Sequence, residues 1–183
     1  STDYVFNGTS STPYTEEDLT DPQSVYGASK RAGEIESLTL NPDTLIIRTS
    51  WVYSEFGKNF VKTMMRLMAE KPEISVVSDQ WGSPTYAADL ANCIMEILHA
   101  DRFVPGIYHY SNEGAINWFQ FAEAIKEITG SNCIVHPIPT SAYPTPAKRP
   151  AYSVMSKEKI VHTYGLKIAP WKESLVNCIE KLK

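Results

Sequence analysis

At 183 residues, 43% hydrophobic and 21% charged, the chain has the make-up of a soluble globular protein and a length that fits one or two domains. Its net charge of -4, without a long basic run, removes the electrostatic footprint of a nucleic-acid binder, and no apolar stretch approaches the roughly 20 residues a membrane span requires. Cys93, Cys133 and Cys178 lie far apart with no CxxC pair, and His99, His109, His136 and His162 lack metal-ligand spacing with them, which argues for reduced cytoplasmic thiols and against a zinc site.

The first six residues, Ser1-Thr2-Asp3-Tyr4-Val5-Phe6, have no initiator Met and no basic-then-apolar pattern, so they read as an internal start rather than a signal peptide. Tyr4-Val5-Phe6 reads as a strand end, followed from Asn7 to Asp21 by a long surface loop rich in Gly, Ser, Thr, Pro and acidic residues. From Pro22 to Leu40, Val25, Ala28, Ala32, Ile35 and Leu38 recur at helical steps, predicting an amphipathic helix with one face on a sheet. Thr44 to Thr49 is a β-branched run that predicts a buried strand. Asn59 is a candidate N-cap for a helix to about Glu70, and Ile74-Ser75-Val76-Val77 predicts another strand.

Gly82, Ser83 and Pro84 break the chain, and Thr85 opens a helix whose apolar face is Ala88, Ala91, Ile94, Met95 and Leu98. Ile107 to Tyr110 predicts a strand. Ala115 to Thr129 predicts a helix burying Phe119, Ala122, Ile125 and Ile128, with Gly130 as its left-handed cap. Pro139, Pro144, Pro146 and Pro150 make Ile138 to Tyr152 an extended, non-helical crossing. Two short helices follow, one from Ser156 as N-cap to Gly165 and one from Pro170 to the end. This alternation predicts an α/β fold: a partial parallel sheet over 1–73 and a smaller mixed lobe over 74–183.

Tyr26 and Lys30 are four residues apart on the first predicted helix, so their side chains share a face with Cβ atoms about 5–6 Å apart. A neighbouring ammonium favours phenolate and so makes a tyrosine a better proton donor near neutral pH. The spacing is weak evidence by itself, because ten tyrosines and twelve lysines in this length give roughly 0.7 such matches by chance.

The flanking residues are more specific. Ser1 to Phe6, Pro13-Tyr14, Val25-Tyr26-Gly27-Ala28-Ser29-Lys30 with Gly33-Glu34, Arg48 to Tyr53, Gly57 to Phe60, Asp79 to Thr85 with Asp89-Leu90-Ala91, and Lys148-Arg149-Pro150 with Ser153 run through nearly the whole chain. In this order they resemble the extended short-chain dehydrogenase/reductase family, and within it the branch of dTDP-4-dehydrorhamnose reductases. The resemblance implies a Rossmann-like parallel sheet, of which this is the C-terminal part, beside a small mixed substrate-binding lobe. It implies Thr2, Tyr26 and Lys30 as catalytic residues, with Tyr26 and Lys30 also on the nicotinamide ribose of NADPH or NADH. It implies Thr2, Asp3, Tyr4 and Trp51 as sugar-nucleotide contacts, with Asn59 and Arg149 as further candidates. From the residues alone, Thr2 is equally a backbone-bonded strand hydroxyl, Trp51 a core aromatic and Arg149 a solvated loop charge.

The implied reaction is reduction of a dTDP-4-keto-6-deoxy sugar to dTDP-L-rhamnose in the cytoplasm, for polysaccharide synthesis. No G-x-G-x-x-G turn occurs among the nine glycines, so the main cofactor cradle is expected to precede Ser1, and this piece alone is expected to be inactive and to self-associate, with a homodimer as the simplest form. Magnesium is compatible with the resemblance, but no motif here assigns its ligands. Another nucleotide-sugar epimerase or dehydratase, or a non-catalytic regulatory subunit, is the alternative reading.

Overall fold

In the computed structural model, which describes residues 1–144 and 149–182, two asparagines set the starts of the best-packed helices. Asn59 accepts the Lys62 amide at 3.2 Å and starts α2 (Phe60–Glu70). Asn117 accepts from Gln120 while the Gln120 side chain accepts the Asn117 amide, a reciprocal cap that starts α4 (Trp118–Thr129). The predicted start at Ala115 is therefore three residues early, because Ile116–Asn117 forms the short strand β7. Gly130 ends α4 at φ 68°, as its position in the sequence requires.

These helices bury Val61, Met64 and Met68 of α2 and Phe121, Ala122 and Ile125 of α4 in the main core. Apart from Ala122, each such side chain contributes about 1.5–3 kcal/mol when fully removed from water. The other walls are β3 (Glu73–Val77), β8 (Ile134–Ile138) and α6 (Trp171–Glu180), which follows Pro170 as expected. Strand β8 was not expected, since Pro137 interrupts it. A proline is tolerated there because, among the described residues, β8 pairs only with β3. Beyond it, one turn of 3-10 helix at Thr140–Ala142 corrects the expectation of a wholly non-helical crossing: the Asp79 carboxylate accepts both the Thr140 amide (2.9 Å) and its hydroxyl (2.6 Å). Pro146 and Lys148 lie outside the described residues.

A smaller core joins Cys93 and Ile97 of α3 (Ala87–Leu98), Tyr108 of β6 (Gly106–His109), Tyr110, Leu166 and Ile160 of α5 (Glu158–Tyr164). Ile94, Met95 and Leu98 were expected to pack but are exposed. Positions 93 and 97, one turn apart, are the pair turned to β6. Lys157, not Ser156, is the α5 N-cap residue, although the Ser156 hydroxyl accepts the Glu158 amide at 3.4 Å, and Gly165 ends α5 at φ 69°.

The strands form separate pairs rather than one continuous sheet. Strand β1 (Leu45–Arg48) runs parallel to β6, β2 (Val52–Tyr53) parallel to β5 (Thr85–Tyr86), and β3 parallel to β8, while β4 (Trp81–Gly82) is antiparallel to β7. Two of these pairs join chain before residue 73 to chain after it. Thr85 therefore opens the two-residue strand β5 rather than α3, which starts at Ala87.

Two corrections fall near the predicted site. Asp3–Val5 is a 3-10 turn, not a strand end, because the Thr2 hydroxyl caps the Tyr4 amide and the Phe6 amide reaches back to the Asp3 carbonyl. Helix α1 (Val25–Leu40) begins three residues after Pro22, where Ser24 caps the Gly27 amide. Its buried positions are Gly27 and Glu34, while Val25 and Ile35 of the apolar stripe are exposed. Chemistry, not apolar periodicity, chooses the packed face of α1. None of the described helices is long and apolar enough to cross a membrane.

Candidate active site

The segment from Ser1 to Asp3 lies beside the carboxyl end of β1. Thr2 bridges Thr49 in parallel, and the Asp3 amide donates to the Thr49 carbonyl at 3.1 Å. Thr2 is thus fixed at the strand end and buried, where its hydroxyl accepts the Tyr4 amide (3.3 Å) and donates to Asp3 Oδ1 (3.0 Å). Asp3 is also buried, and its Oδ2 has no hydrogen-bond partner among the described residues. Burial pushes the Asp3 carboxyl up to about 6, against the opposing hydroxyls of Ser153 and Thr2.

Helix α1 meets this turn through Gly27. A Cβ at that position would fall 2.2 Å from the Tyr4 carbonyl oxygen, so only glycine permits the approach. The consequence is that Tyr26 and Tyr4 meet edge to face, with centroids 5.8 Å apart. Lys30 Nζ stands 5.9 Å from the centre of the Tyr26 ring. Tyr26 is 53% exposed, and among the described residues neither its hydroxyl nor the Lys30 ammonium has a hydrogen-bond or ion-pair partner. An open phenol beside an open ammonium is the donor set that suits vicinal ribose hydroxyls and a reacting carbonyl oxygen.

On the other side of Tyr4, Arg149 Nη1 donates to its hydroxyl at 3.2 Å. Burial raises the Tyr4 phenol and the Arg149 charge opposes it. Tyr4, Asn7, Gln23, Ser24, Arg149 and Pro150 line a cleft of about 170 Å³, into which an exposed guanidinium fork could draw an anion.

Trp51 sits where the chain leaves β1, with φ 48°, the only non-glycine residue of positive φ among those described. Its indole lies where a Cβ on residue 82 would come within 2.6 Å of it, and it stacks on Trp118 at 3.6 Å with an 11° tilt. A bulky residue held in the left-handed region marks local strain offset by packing. Asn59 is spent locally: Oδ1 caps α2 and Nδ2 donates to the Ser54 carbonyl at 2.7 Å. The structure therefore gathers Thr2, Asp3, Tyr4, Tyr26, Lys30 and Arg149 around one turn, with Trp51 and Asn59 set further along the chain that leaves β1.

One group beneath the site escaped the reading of single residues. Arg48 and Glu34 form a fully buried bidentate pair, Nε to Oε1 and Nη2 to Oε2, both 2.8 Å. Burial raises the Glu34 carboxyl, but the Arg48 hydrogen bonds, the Ser1 hydrogen bond and the Arg48 and Arg31 charges together outweigh it and hold it below the usual range. The guanidinium also lies over the Phe6 ring at 5.1 Å and 3.5 Å from His109 Nε2. Burial, aided by Arg48, pushes His109 down to about 3, so it is neutral. The signal was present in the sequence: a charge inside Leu45-Ile46-Ile47-Arg48 demands a buried partner, and Glu34 is eight residues past Tyr26 on the same helix. Among the described residues no group of three or more His, Cys, Asp or Glu is placed to hold a metal ion.

The model of the RmlD substrate binding domain matches residues 1–183. The chain is 46% identical over 175 residues to the spore coat polysaccharide biosynthesis protein SpsK of Bacillus subtilis, covering 96% of this chain and 60% of that protein. It is 45% identical over 183 residues to dTDP-4-dehydrorhamnose reductase of Sinorhizobium fredii, covering 95% and 62%. The chain thus spans about three fifths of these relatives' length. The crystal structure of dTDP-4-dehydrorhamnose reductase from Bacillus anthracis in complex with NADP superposes with a TM-score of 0.94 at 42% identity, over 100% of this chain and 64% of that one.

Proposed function

This chain belongs to the RmlD substrate binding domain family, and from that premise we propose that the protein carrying it reduces dTDP-4-dehydro-6-deoxy-L-mannose to dTDP-L-rhamnose with NADPH or NADH. One observation carries the reading: Gly27 lets α1 seat on the Tyr4 carbonyl, which holds Tyr26 and Lys30 open next to the turn that the Thr2 hydroxyl caps. The names of the reductase relatives and the NADP in the Bacillus anthracis enzyme support it, and the relation to SpsK fits a role in polysaccharide synthesis.

When bound, the nicotinamide supplies a hydride for C4 of the sugar. Tyr26 gives its phenolic proton to the sugar oxygen as that oxygen gains charge, and recovers a proton from solvent afterwards. Lys30 steadies the phenolate left behind and holds the ribose hydroxyls. Thr2 orients the keto oxygen, and Arg149 faces the diphosphate from the cleft beside Tyr4. Trp51 offers an aromatic edge to the sugar nucleotide, while Asp3 and Asn59 act mainly by shaping the turns that carry Thr2 and α2.

The test is oxidation of NADPH by the full-length protein with the keto sugar, followed by Tyr26→Phe, which should cost kcat about 100-fold or more. Absence of nicotinamide oxidation overturns the reading in favour of an epimerase, a dehydratase or a binding subunit. The reading also carries a homodimer in the cytoplasm, which a clean monomer at high concentration in sedimentation equilibrium would contradict.

A further inference from the structure

Resting on the reductase reading above, we infer that Asp3 is a positioning residue that sets the direction of the Thr2 hydroxyl: the ionised carboxylate holds its proton, and the neutral carboxyl frees it for the substrate carbonyl. A hydroxyl has one proton and two lone pairs. In the structure the proton points to Asp3 Oδ1 at 3.0 Å, and one lone pair accepts the Tyr4 amide at 3.3 Å. Only a lone pair remains. A keto oxygen is itself an acceptor, so Thr2 in this state has nothing to donate to it.

Protonation of Asp3 reverses the contact without moving a heavy atom. The carboxyl donates to Thr2 Oγ1, fills the second lone pair and leaves the Thr2 proton free to turn outward. The surroundings permit the neutral form. Asp3 is 2% exposed and Oδ2 has no partner, whereas buried carboxylates that stay ionised usually accept two or three strong donors.

The groups facing Asp3 are few. Its own turn supplies the Thr2 hydroxyl, the Asp3 and Tyr4 amides and the Tyr4 ring, and the segment after Tyr152 supplies the Ser153 hydroxyl; of these Thr2 makes the well-formed side-chain hydrogen bond, and together they offset burial only partly. The end of β1 supplies the Thr49 carbonyl, which takes the Asp3 amide. Helix α1 contributes the Tyr26 phenol across the Tyr4 ring, and Arg149 is bound to the far end of Tyr4. Among the described residues no cation pairs with the carboxylate. The carboxyl's elevation to about 6 by burial agrees with this geometry, and a substrate covering the turn removes more water in the same direction.

The test compares wild type, Asp3→Asn, Thr2→Val and the double variant as full-length proteins, with NADPH and the keto sugar at saturation from pH 5 to 8.5. In wild type kcat should fall as pH rises through an ionisation that Asp3→Asn removes, because the carboxamide Nδ2 can donate to Thr2 Oγ1 at every pH, so the variant should lose that step and keep a flat profile across it. In the Thr2→Val background, Asp3→Asn should change the shape of the profile no further. A step that survives Asp3→Asn, or that Asp3→Asn removes equally without Thr2, overturns the inference; a purely structural role would lower the melting temperature and leave the profile in place. Wild type that oxidises no NADPH defeats the reductase reading instead. The Asp3–Thr2 coupling is then judged by carboxyl carbon-13 titration, where Thr2→Val should raise the Asp3 midpoint by about half a unit or more, and an unmoved midpoint overturns it.

Discussion

Helices α1 and α4 are both amphipathic by sequence, yet they pack by different rules. In α4 the apolar residues turn inward and Phe121, Ala122 and Ile125 are fully buried. In α1 Val25 is 88% exposed and Ile35 48%, and the buried positions are a glycine and a carboxylate. The lobe helix is held by area removed from water. The site helix is held chiefly by a close backbone approach and the Glu34–Arg48 ion pair, with the Arg31–Thr20 hydrogen bond beside them, which fix orientation with little apolar burial. A helix that must present Tyr26 and Lys30 to a ligand gains from that arrangement, because its contacts are directional.

The sharpest way to break the contrast is to remove what each helix depends on. Phe121→Ala should destabilise the 183-residue chain by about 3–5 kcal/mol in urea unfolding. Glu34→Ala should cost a similar amount, about 3–5 kcal/mol, by stranding the buried Arg48 charge, whereas Glu34→Leu with Arg48→Met should recover most of it. If the double replacement is no better than the single one, the pair is not what holds α1.

A smaller effect lies in pH. Asp3 is raised from 3.8 to about 6, so its contribution to stability is lost as pH rises from about 4 to 6. His109 is lowered from 6.5 to about 3, so its contribution is present above 6.5 and lost as pH falls toward 3. The two slopes oppose each other between pH 4 and 6. Asp3→Asn should therefore steepen the loss of stability on acidification in that window by about 1 kcal/mol per pH unit, read from urea midpoints at each pH. The least effect is expected at the exposed stripe, where Ile35→Ser should change stability of the chain by less than about 0.5 kcal/mol.

The same contrast explains what the sequence made legible. Helix α2 was readable almost to the residue, because Asn59 is a cap and Val61, Met64 and Met68 keep the helical period. Gly130 and Gly165 marked their stops for the same local reason. Tyr26, Lys30 and Thr2 were found through the residues around them, since a tyrosine and lysine four apart say little alone. The Glu34–Arg48 pair joins positions fourteen apart through a tertiary contact, and nothing local announces it except a charge in an apolar strand. The strands β4 and β5 are two residues each, too short for alternation to register. The 3-10 turn at Asp3–Val5 was hidden because its deciding bond comes from a side chain, Thr2, rather than from backbone preference.

The stacked pair of Trp51 and Trp118 makes the chain its own optical probe. Two indoles stacked 3.6 Å apart and nearly parallel couple their electronic transitions, giving a near-ultraviolet dichroism that depends on their mutual angle. Because Trp51 is held at a strained backbone position against Gly82, a ligand that leans on its free edge has to disturb the stack. Under the proposed function, a sugar nucleotide that leans on Trp51 should change that signal, and a titration would read it without labelling the ligand and without turnover.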